Sequence, residues 1–154
     1  MEPQIKIQSP EVLLEEYRLL LQSDDTVEAL PLQVSGNSMS PFLTHGRDTV
    51  YLSRLSRPVR RGDILLYRRD SGTYVLHRVF AVTAQGHTML GDAQIIPETG
   101  IRPEQVIAVV SRVVRRGKSL EPGAFCWKFY EKNWPRLRGV RRLAGKIIRT
   151  LRRK

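Results

Sequence analysis

A serine in an unusual local setting is the first residue of this chain that could do chemistry. Ser38 follows Gly36 and Asn37, and Pro41 comes three residues later, within the stretch 34–43. Glycine and asparagine accept backbone angles that other residues avoid, and proline fixes its own φ, so the stretch predicts an ordered turn that presents Ser38. A serine held in this way can act as a nucleophile beside a base and near backbone oxyanion donors. A plain loop between two strands is the alternative interpretation.

A histidine in a later segment is the candidate base. His77 lies near the centre of a predicted strand, Tyr74–Val82. An imidazole has an ordinary pKa of about 6.5, so it is mostly neutral at pH 7 and can accept the proton of a serine hydroxyl. A half-buried strand residue that bonds a backbone carbonyl is the structural alternative for His77.

Four short segments occur in an order that resembles the signal peptidase and LexA-like superfamily of serine peptidases. They lie at residues 36–43, 61–67, 76–79 and 90–92. In that superfamily a Gly-x-Ser-Met-x-Pro-x-Leu segment carries the nucleophile and a Gly-Asp segment leads a strand. The general base then lies on a later strand before Arg-Val, and a second Gly-Asp segment follows. The resemblance covers about residues 32–114, and it implies a coiled β-barrel that cleaves a peptide or protein substrate.

The resemblance also implies a role for individual residues. Most bacterial members use a Ser–Lys dyad, but the segment 7–117 of this chain contains no lysine. His77 stands in the position of that lysine, as in the branch typified by the endoplasmic-reticulum signal peptidases. Ser38 is then the nucleophile, and its own N–H group contributes to the oxyanion hole. The residues implied to contact the substrate are Met39 and Pro41.

An acidic residue that orients the imidazole would complete such a site. Asp92, directly after Gly91, is the first candidate, but an Asp in this setting also commonly bonds backbone amides in a turn. Both interpretations of Asp92 stay open. Glu98 resembles in position a second acid of the endoplasmic-reticulum-type enzymes, although Glu replaces the usual Asp, and for Glu98 we favour a structural role.

Short strands between two helical segments must position these residues. A helix is predicted from Ser9 as its cap and Pro10 in its first turn to about Gln22. Short strands with frequent turns then favour an all-β barrel or sandwich, and hence a mainly β fold. The candidate strands are Leu32–Val34, Thr49–Leu52, Asp63–Arg68, Tyr74–Val82, Thr88–Leu90 and Val106–Val113. We expect three parts: an N-terminal helical segment 1–29, a β-rich peptidase domain 30–120, and a linker with a basic amphipathic tail 121–154.

Most of the net charge of +11 belongs to the tail, because residues 128–154 carry 11 Lys or Arg and one acid. The spacing predicts one amphipathic helix from about Trp134 onward, suited to an anionic membrane surface. Binding to nucleic acid is a less favoured alternative, since no helix-turn-helix pattern precedes the β-rich segment. Docking of the apolar face on the chain's own β-rich domain, with the arginines left in solvent, is another. The residues expected to contact a membrane are Trp134, Arg138, Arg141, Arg142 and Arg149.

The composition excludes several classes of protein. The 154 residues contain a single cysteine, Cys126, so an intramolecular disulfide is impossible. The three histidines, His45, His77 and His87, lack metal-ligand spacing, and we expect neither a metal ion nor a cofactor. The first residues lack a signal-peptide pattern, and no apolar run approaches the roughly 18 residues needed to span a bilayer. We therefore expect a cytoplasmic protein, which the tail would place at the inner face of the membrane.

Three functions fit these residues. In the first, a serine endopeptidase, Ser38 attacks a peptide carbonyl, His77 moves the proton, and Asp92 or Glu98 orients His77. In the second, the scaffold has lost its chemistry and recognises a peptide at a membrane surface. In the third, the chain cleaves itself in the short segment 23–29. The sequence does not indicate an oligomeric state.

Overall fold

The chain folds as a mixed α/β protein in which one helix precedes and two helices follow the strands of an antiparallel sheet. The computed structural model describes residues 10–152, so the predicted cap Ser9 lies outside the described residues. The helices are α1 Pro10–Ser23, α2 Phe125–Lys132 and α3 Arg138–Leu151, with 3₁₀ turns at Pro103–Gln105 and Trp134–Leu137. The strands are β1 Leu30–Gln33, β2 Asp48–Ser53, β3 Ile64–Arg68, β4 Tyr74–Thr83, β5 Gly86–Leu90, β6 Glu98–Ile101, β7 Val106–Arg115 and β8 Lys118–Leu120.

The sheet is open. Its strand order is β1-β2-β7-β3-β4-β5-β6, and β8 pairs with β7 outside this path. Every pairing is antiparallel. The two edge strands, β1 and β6, are four residues long and do not pair with each other within residues 10–152. The expected closed barrel is therefore absent from this part of the chain, and the helices at both ends make the fold mixed rather than mainly β.

The central strand β3 is buried on both faces. Ile64 and Leu66 point into a core cluster that also receives Leu21 of α1 and Trp127 of α2. Their neighbours in β3, Leu65 and Tyr67, point into a second cluster on the opposite face, with Val79 and Met89. A strand covered on both faces reads as a continuous apolar run, which explains the sequence Ile-Leu-Leu-Tyr.

The six predicted strands are confirmed, and their ends differ from the predicted ones by at most two residues. Two strands are additional, and each lacks the alternation that marks a strand in sequence. The segment Glu98–Ile101 contains an acid and a glycine, and it becomes a strand by pairing with β5. The segment Lys118–Leu120 pairs with the end of β7. Tertiary pairing, rather than local propensity, decides both.

The helix expected from about Trp134 is present, but it begins as a 3₁₀ turn and is α-helical only from Arg138, and a separate helix, α2, precedes it where a linker was expected. Pro135 lies in the 3₁₀ turn between α2 and α3, where its missing N–H group interrupts an α-helical pattern. The first of the two helices is part of the core. Its Trp127 is 3% exposed and packs edge-to-face against Phe42, with 5.4 Å between ring centroids.

Candidate active site

The predicted serine turn lies between β1 and β2 and is anchored by its own apolar residues. Gly36 has a φ of 80°, the left-handed conformation that favours glycine. Phe42 and Leu43 are buried, so the end of the turn is fixed in the core, while Ser38 is half-buried. Near its start the turn is tied to His45, whose Nδ1 accepts a hydrogen bond of 3.2 Å from the Gly36 N–H.

The turn at Gly91 holds Ser38 from the other side. The Ala93 N–H donates to the Ser38 carbonyl oxygen at 2.9 Å. A Cβ atom at Gly91 would lie 2.5 Å from that same oxygen, so no larger residue fits here without displacing Ser38. The Ser38 N–H makes no backbone hydrogen bond within residues 10–152. The amide required for an oxyanion hole is therefore available.

His77 and Ser38 line one cleft of about 290 Å³. His77 projects from β4 opposite Leu65 of β3, and it is 2% exposed. Met39 and Gln94 also line the cleft, whereas Pro41, the other residue expected to contact substrate, is not part of its lining. The fold thus brings the predicted nucleophile and the predicted base to a shared cavity.

A chain of hydrogen bonds fixes the imidazole from behind. Tyr67 Oη lies 3.2 Å from His77 Nδ1 and donates to Glu98 Oε2 at 2.7 Å. Because the phenol has one proton and gives it to the carboxylate, its oxygen can interact with Nδ1 only as an acceptor. Nδ1 therefore carries the proton, and Nε2 keeps its lone pair. This is the tautomer that a general base needs.

Arg69 completes this chain of side chains. Its Nε and Nη2 atoms donate to the two carboxylate oxygens of Glu98, each at 2.8 Å. This pairing, chiefly through hydrogen bonds, lowers the pKa of Glu98 from its ordinary value. Glu98 is thus held ionised, with one oxygen on Tyr67.

Burial controls the titration of the central residues. Removal from water lowers the pKa of His77 to about 4, and the nearby Arg69 charge acts in the same direction, while Glu98 opposes it. Burial and the hydrogen bond to Glu98 raise the pKa of Tyr67 well above its ordinary value. At neutral pH the site therefore contains a neutral imidazole, a neutral phenol and an ionised carboxylate.

Asp92 has a different partner. Its two carboxylate oxygens accept hydrogen bonds of 2.9 and 2.8 Å from Nε and Nη2 of Arg78, and both side chains are buried. The guanidinium of Arg78 also lies over the ring of Phe42. Asp92 makes no hydrogen bond to His77 within residues 10–152. It stabilises the turn that carries Ala93, and the orienting contact to His77 comes through Tyr67 from Glu98.

The residues predicted to contact a membrane divide into two groups. Trp134 Nε1 and Arg141 Nη2 donate to the Asp92 carbonyl oxygen at 2.7 and 2.6 Å, and the Arg138 guanidinium lies over the ring of Phe80. These three residues attach the C-terminal segment to the sheet. The exposed residues of the set are Arg142 and Arg149. Among residues 10–152, no helix is both long and apolar enough to cross a bilayer.

Tyr67 and Arg69 were not predicted as site residues. Tyr67 lies near the end of β3, a strand that reads as core, and Arg69 directly follows that strand. Alternation along β3 places Tyr67 on the same face as Leu65. Only the register of β3 against β4, which pairs Leu65 with His77, brings the phenol to the imidazole. The available sequence signal was a polar tip on an apolar strand, since a buried tyrosine hydroxyl needs a partner.

Comparisons with known proteins do not assign the chain to a family. No protein-family model matches it. A search of curated proteins gives no significant match. The interpretation of this site therefore depends on its residues and their geometry, together with the resemblance of the four sequence segments.

Proposed function

We propose that this protein is a serine endopeptidase of the signal-peptidase and LexA-like type, with Ser38 as nucleophile and His77 as general base. One observation carries the proposal: Ser38 and His77 line the same cleft, and His77 is held there in the tautomer that leaves Nε2 free to accept a proton. The order of the four sequence segments supports the same conclusion independently.

We also propose that the open sheet is a variant of the coiled barrel of that superfamily. Register shifts interrupt four of its ladders, between β2 and β7, β3 and β7, β4 and β5, and β5 and β6. Such bulges increase the local twist of a sheet. Two apolar clusters on opposite faces of β3 are consistent with a sheet that coils on itself.

The proposed reaction uses groups already in place. Ser38 Oγ attacks the peptide carbonyl carbon while His77 Nε2 takes the hydroxyl proton, and the Ser38 N–H donates to the developing oxyanion. Collapse of the tetrahedral intermediate breaks the C–N bond, and Nε2–H gives its proton to the leaving amine. A water molecule then attacks the ester with the same base, which releases the new carboxyl group and restores Ser38.

The chain behind His77 matters most when the imidazole is charged. A pKa near 4 makes the free imidazole a weak base, so proton transfer from Ser38 is uphill. The ionised carboxylate of Glu98, one hydroxyl away, stabilises the imidazolium that forms in the transition state. Tyr67 and Glu98 are therefore positioning residues for His77.

An apolar groove offers a path for an extended substrate. It has a volume of about 460 Å³, and it shares Val34, Tyr74 and Leu76 with the cleft of Ser38 and His77. Strand β1 borders it as an edge strand, which can accept a peptide as an additional strand. A peptide with apolar residues on one side of the cleaved bond fits this arrangement.

The first experiment is labelling with a serine-reactive phosphonate probe, followed by mass spectrometry of the modified residue. We expect labelling at Ser38 that is lost in Ser38→Ala and greatly slowed in His77→Ala. Ser35→Ala is the matched control, since Ser35 lines the same cleft three residues away. Ser38→Ala labelled at the wild-type rate would contradict the proposal, and a well-folded wild-type protein without labelling would favour a peptide-binding module.

Self-cleavage finds less support in the geometry. The segment 23–29 is fastened by Arg54, whose Nη1 and Nη2 donate to the Asp25 carboxylate and the Asp24 carbonyl at 2.8 and 3.1 Å. The Nε atom of Arg54 donates to the Leu21 carbonyl oxygen at 2.6 Å. Intact-mass analysis after prolonged incubation tests this alternative, because self-cleavage would yield two fragments.

A further inference from the structure

We propose that α3 binds the surface of an anionic lipid bilayer through its apolar face. Most of the large aliphatic residues of α3 lie three or four positions from another of the set, so they share one face of the helix. Each is 52% exposed or more, although residues of these types are usually buried. They are Val140, Leu143, Ile147, Ile148 and Leu151.

The orientation of α3 leaves this face uncovered. Arg141 and Trp134 bond to the Asp92 carbonyl, and Arg138 lies over Phe80, so another side of the segment is fastened to the sheet. Docking on the sheet was one expected use of the apolar face. The fastened side is instead polar, and within residues 10–152 no part of the chain covers the aliphatic residues.

The charge of the segment selects the partner. Residues 128–154 carry a net charge of +10, and the exposed basic residues of α3 include Arg142, Lys146 and Arg149. A second copy of the chain would bring another segment of the same charge against this one. Nucleic acid would attract the arginines but would leave the aliphatic face in water. An anionic bilayer satisfies both, because headgroups pair with the basic residues while the aliphatic side chains enter the acyl boundary.

Hydrogen bonds also connect α3 to the cleft of Ser38 and His77. Arg141 of α3 donates to the carbonyl oxygen of Asp92. Ala93, which follows Asp92 in the sequence, donates its N–H to the Ser38 carbonyl oxygen. The lipid-binding helix is thus attached to the turn that holds Ser38. The proposal itself does not depend on catalysis, since binding can be measured on Ser38→Ala.

The test is co-sedimentation of the full chain with vesicles of phosphatidylglycerol and phosphatidylcholine, compared with phosphatidylcholine alone. We expect binding to the anionic vesicles and more than about tenfold weaker binding by Val140→Asp/Ile147→Asp, which places charge on the apolar face. The matched control is Val12→Asp/Leu19→Asp. It has the same spacing and charge change on α1, where both residues are about half exposed, and we expect wild-type binding.

A second variant keeps the test valid if the first one unfolds. Arg142→Gln/Arg149→Gln leaves the apolar face intact, and we expect it to weaken binding to anionic vesicles. The proposal would be overturned if the wild-type protein does not bind anionic vesicles, or if both α3 variants bind them as tightly as the wild-type protein. Sedimentation velocity and titration with duplex DNA address the other partners. A dimer, or a DNA complex, that is lost in Val140→Asp/Ile147→Asp would assign the face elsewhere and also overturn the proposal.

Discussion

The hydroxyl oxygen of Tyr67 lies 3.2 Å from Nδ1 of His77, and its proton is donated to Glu98. The direction of these hydrogen bonds determines which nitrogen of His77 is free. The arrangement differs from a triad in which a carboxylate touches the histidine directly, because here a neutral hydroxyl lies between them. Removal of the Tyr67 hydroxyl or of the Glu98 carboxylate should therefore affect His77 without altering Ser38.

Tyr67→Phe is expected to slow labelling of Ser38 by roughly 10- to 100-fold. It removes a hydrogen bond that stabilises a charged imidazolium, and such bonds contribute about 1.5–3 kcal/mol. The ring stays in its core cluster, so the free energy of unfolding should change much less than in Tyr67→Ala. Kinetics with a peptide substrate should show a lower kcat and little change in KM. Wild-type kcat in a folded Tyr67→Phe protein would remove Tyr67 from the mechanism.

Glu98→Gln is expected to lower the pKa of His77 further. The negative charge of Glu98 favours the protonated imidazole, so its loss destabilises that form. The pKa can be read from the NMR titration of the His77 ring protons. Glu104→Gln is the control, because Glu104 is exposed and pairs with Arg102 instead. An unchanged titration in Glu98→Gln would show that the carboxylate does not act on His77.

Labelling of Ser38 should hardly depend on pH between about 6 and 8. The pKa of His77 is lowered to about 4, so the neutral, base-competent imidazole predominates throughout this range. The rate should fall only as the pH approaches 4, when the imidazole takes up a proton. Stopped-time labelling across this range, corrected for unfolding, measures the profile. A half-maximal rate near 6.5 would mean that His77 is not desolvated.

The same burial makes the protein sensitive to mild acid. The folded-state pKa of His77 is lower than the unfolded value of 6.5, so above pH 6.5 neither state is charged and the group contributes nothing to the slope. Between about 6.5 and 4 the unfolded state binds the proton first, and stability is lost by up to about 1.4 kcal/mol per pH unit. Urea unfolding at several pH values should show a flatter dependence in His77→Gln. Identical slopes would contradict the prediction.

Gly91→Ala is expected to impair the site more than the fold. Its new Cβ would lie 2.5 Å from the Ser38 carbonyl oxygen, so the serine turn has to move. Overpacking of this kind typically lowers the free energy of unfolding by about 1–3 kcal/mol. The displacement of the serine turn should slow labelling of Ser38 by more than the resulting decrease in the folded fraction explains. Gly139→Ala is the control, since a Cβ there meets no atom within 4 Å. Equal labelling in the two variants would show that Gly91 has no positioning role.

Local residue patterns predicted those parts of the molecule that depend on local chemistry. The turn at Gly36, the helix beginning at Pro10 and the strand containing His77 each follow from residues close in sequence. The partner of His77 depends on how β3 and β4 align, and nothing within either strand states that register. For Glu98 a structural role was favoured, since Glu replaces the usual Asp of the resembling enzymes. Pairing of its segment with β5 instead places Glu98 one hydroxyl away from His77.

The tail shows the same limit from another direction. An amphipathic pattern identifies two faces of a helix but does not say which face meets the protein. Trp134 was assigned to lipid because tryptophan favours interfaces, whereas its indole N–H is bonded to the Asp92 carbonyl. A single buried carbonyl that needs donors outweighs the general preference of the residue type.

The contact of Trp127 with Phe42 also orders events during synthesis. The serine turn is synthesised before the residues that hold it. Its Phe42 packs against Trp127 of α2, and the neighbouring turn at Asp92 accepts a hydrogen bond from Trp134. A growing chain on the ribosome therefore carries Ser38 without this packing until α2 and Trp134 have been synthesised. Ser38 is therefore expected to reach its final position only after the sheet, α2 and Trp134 have come together.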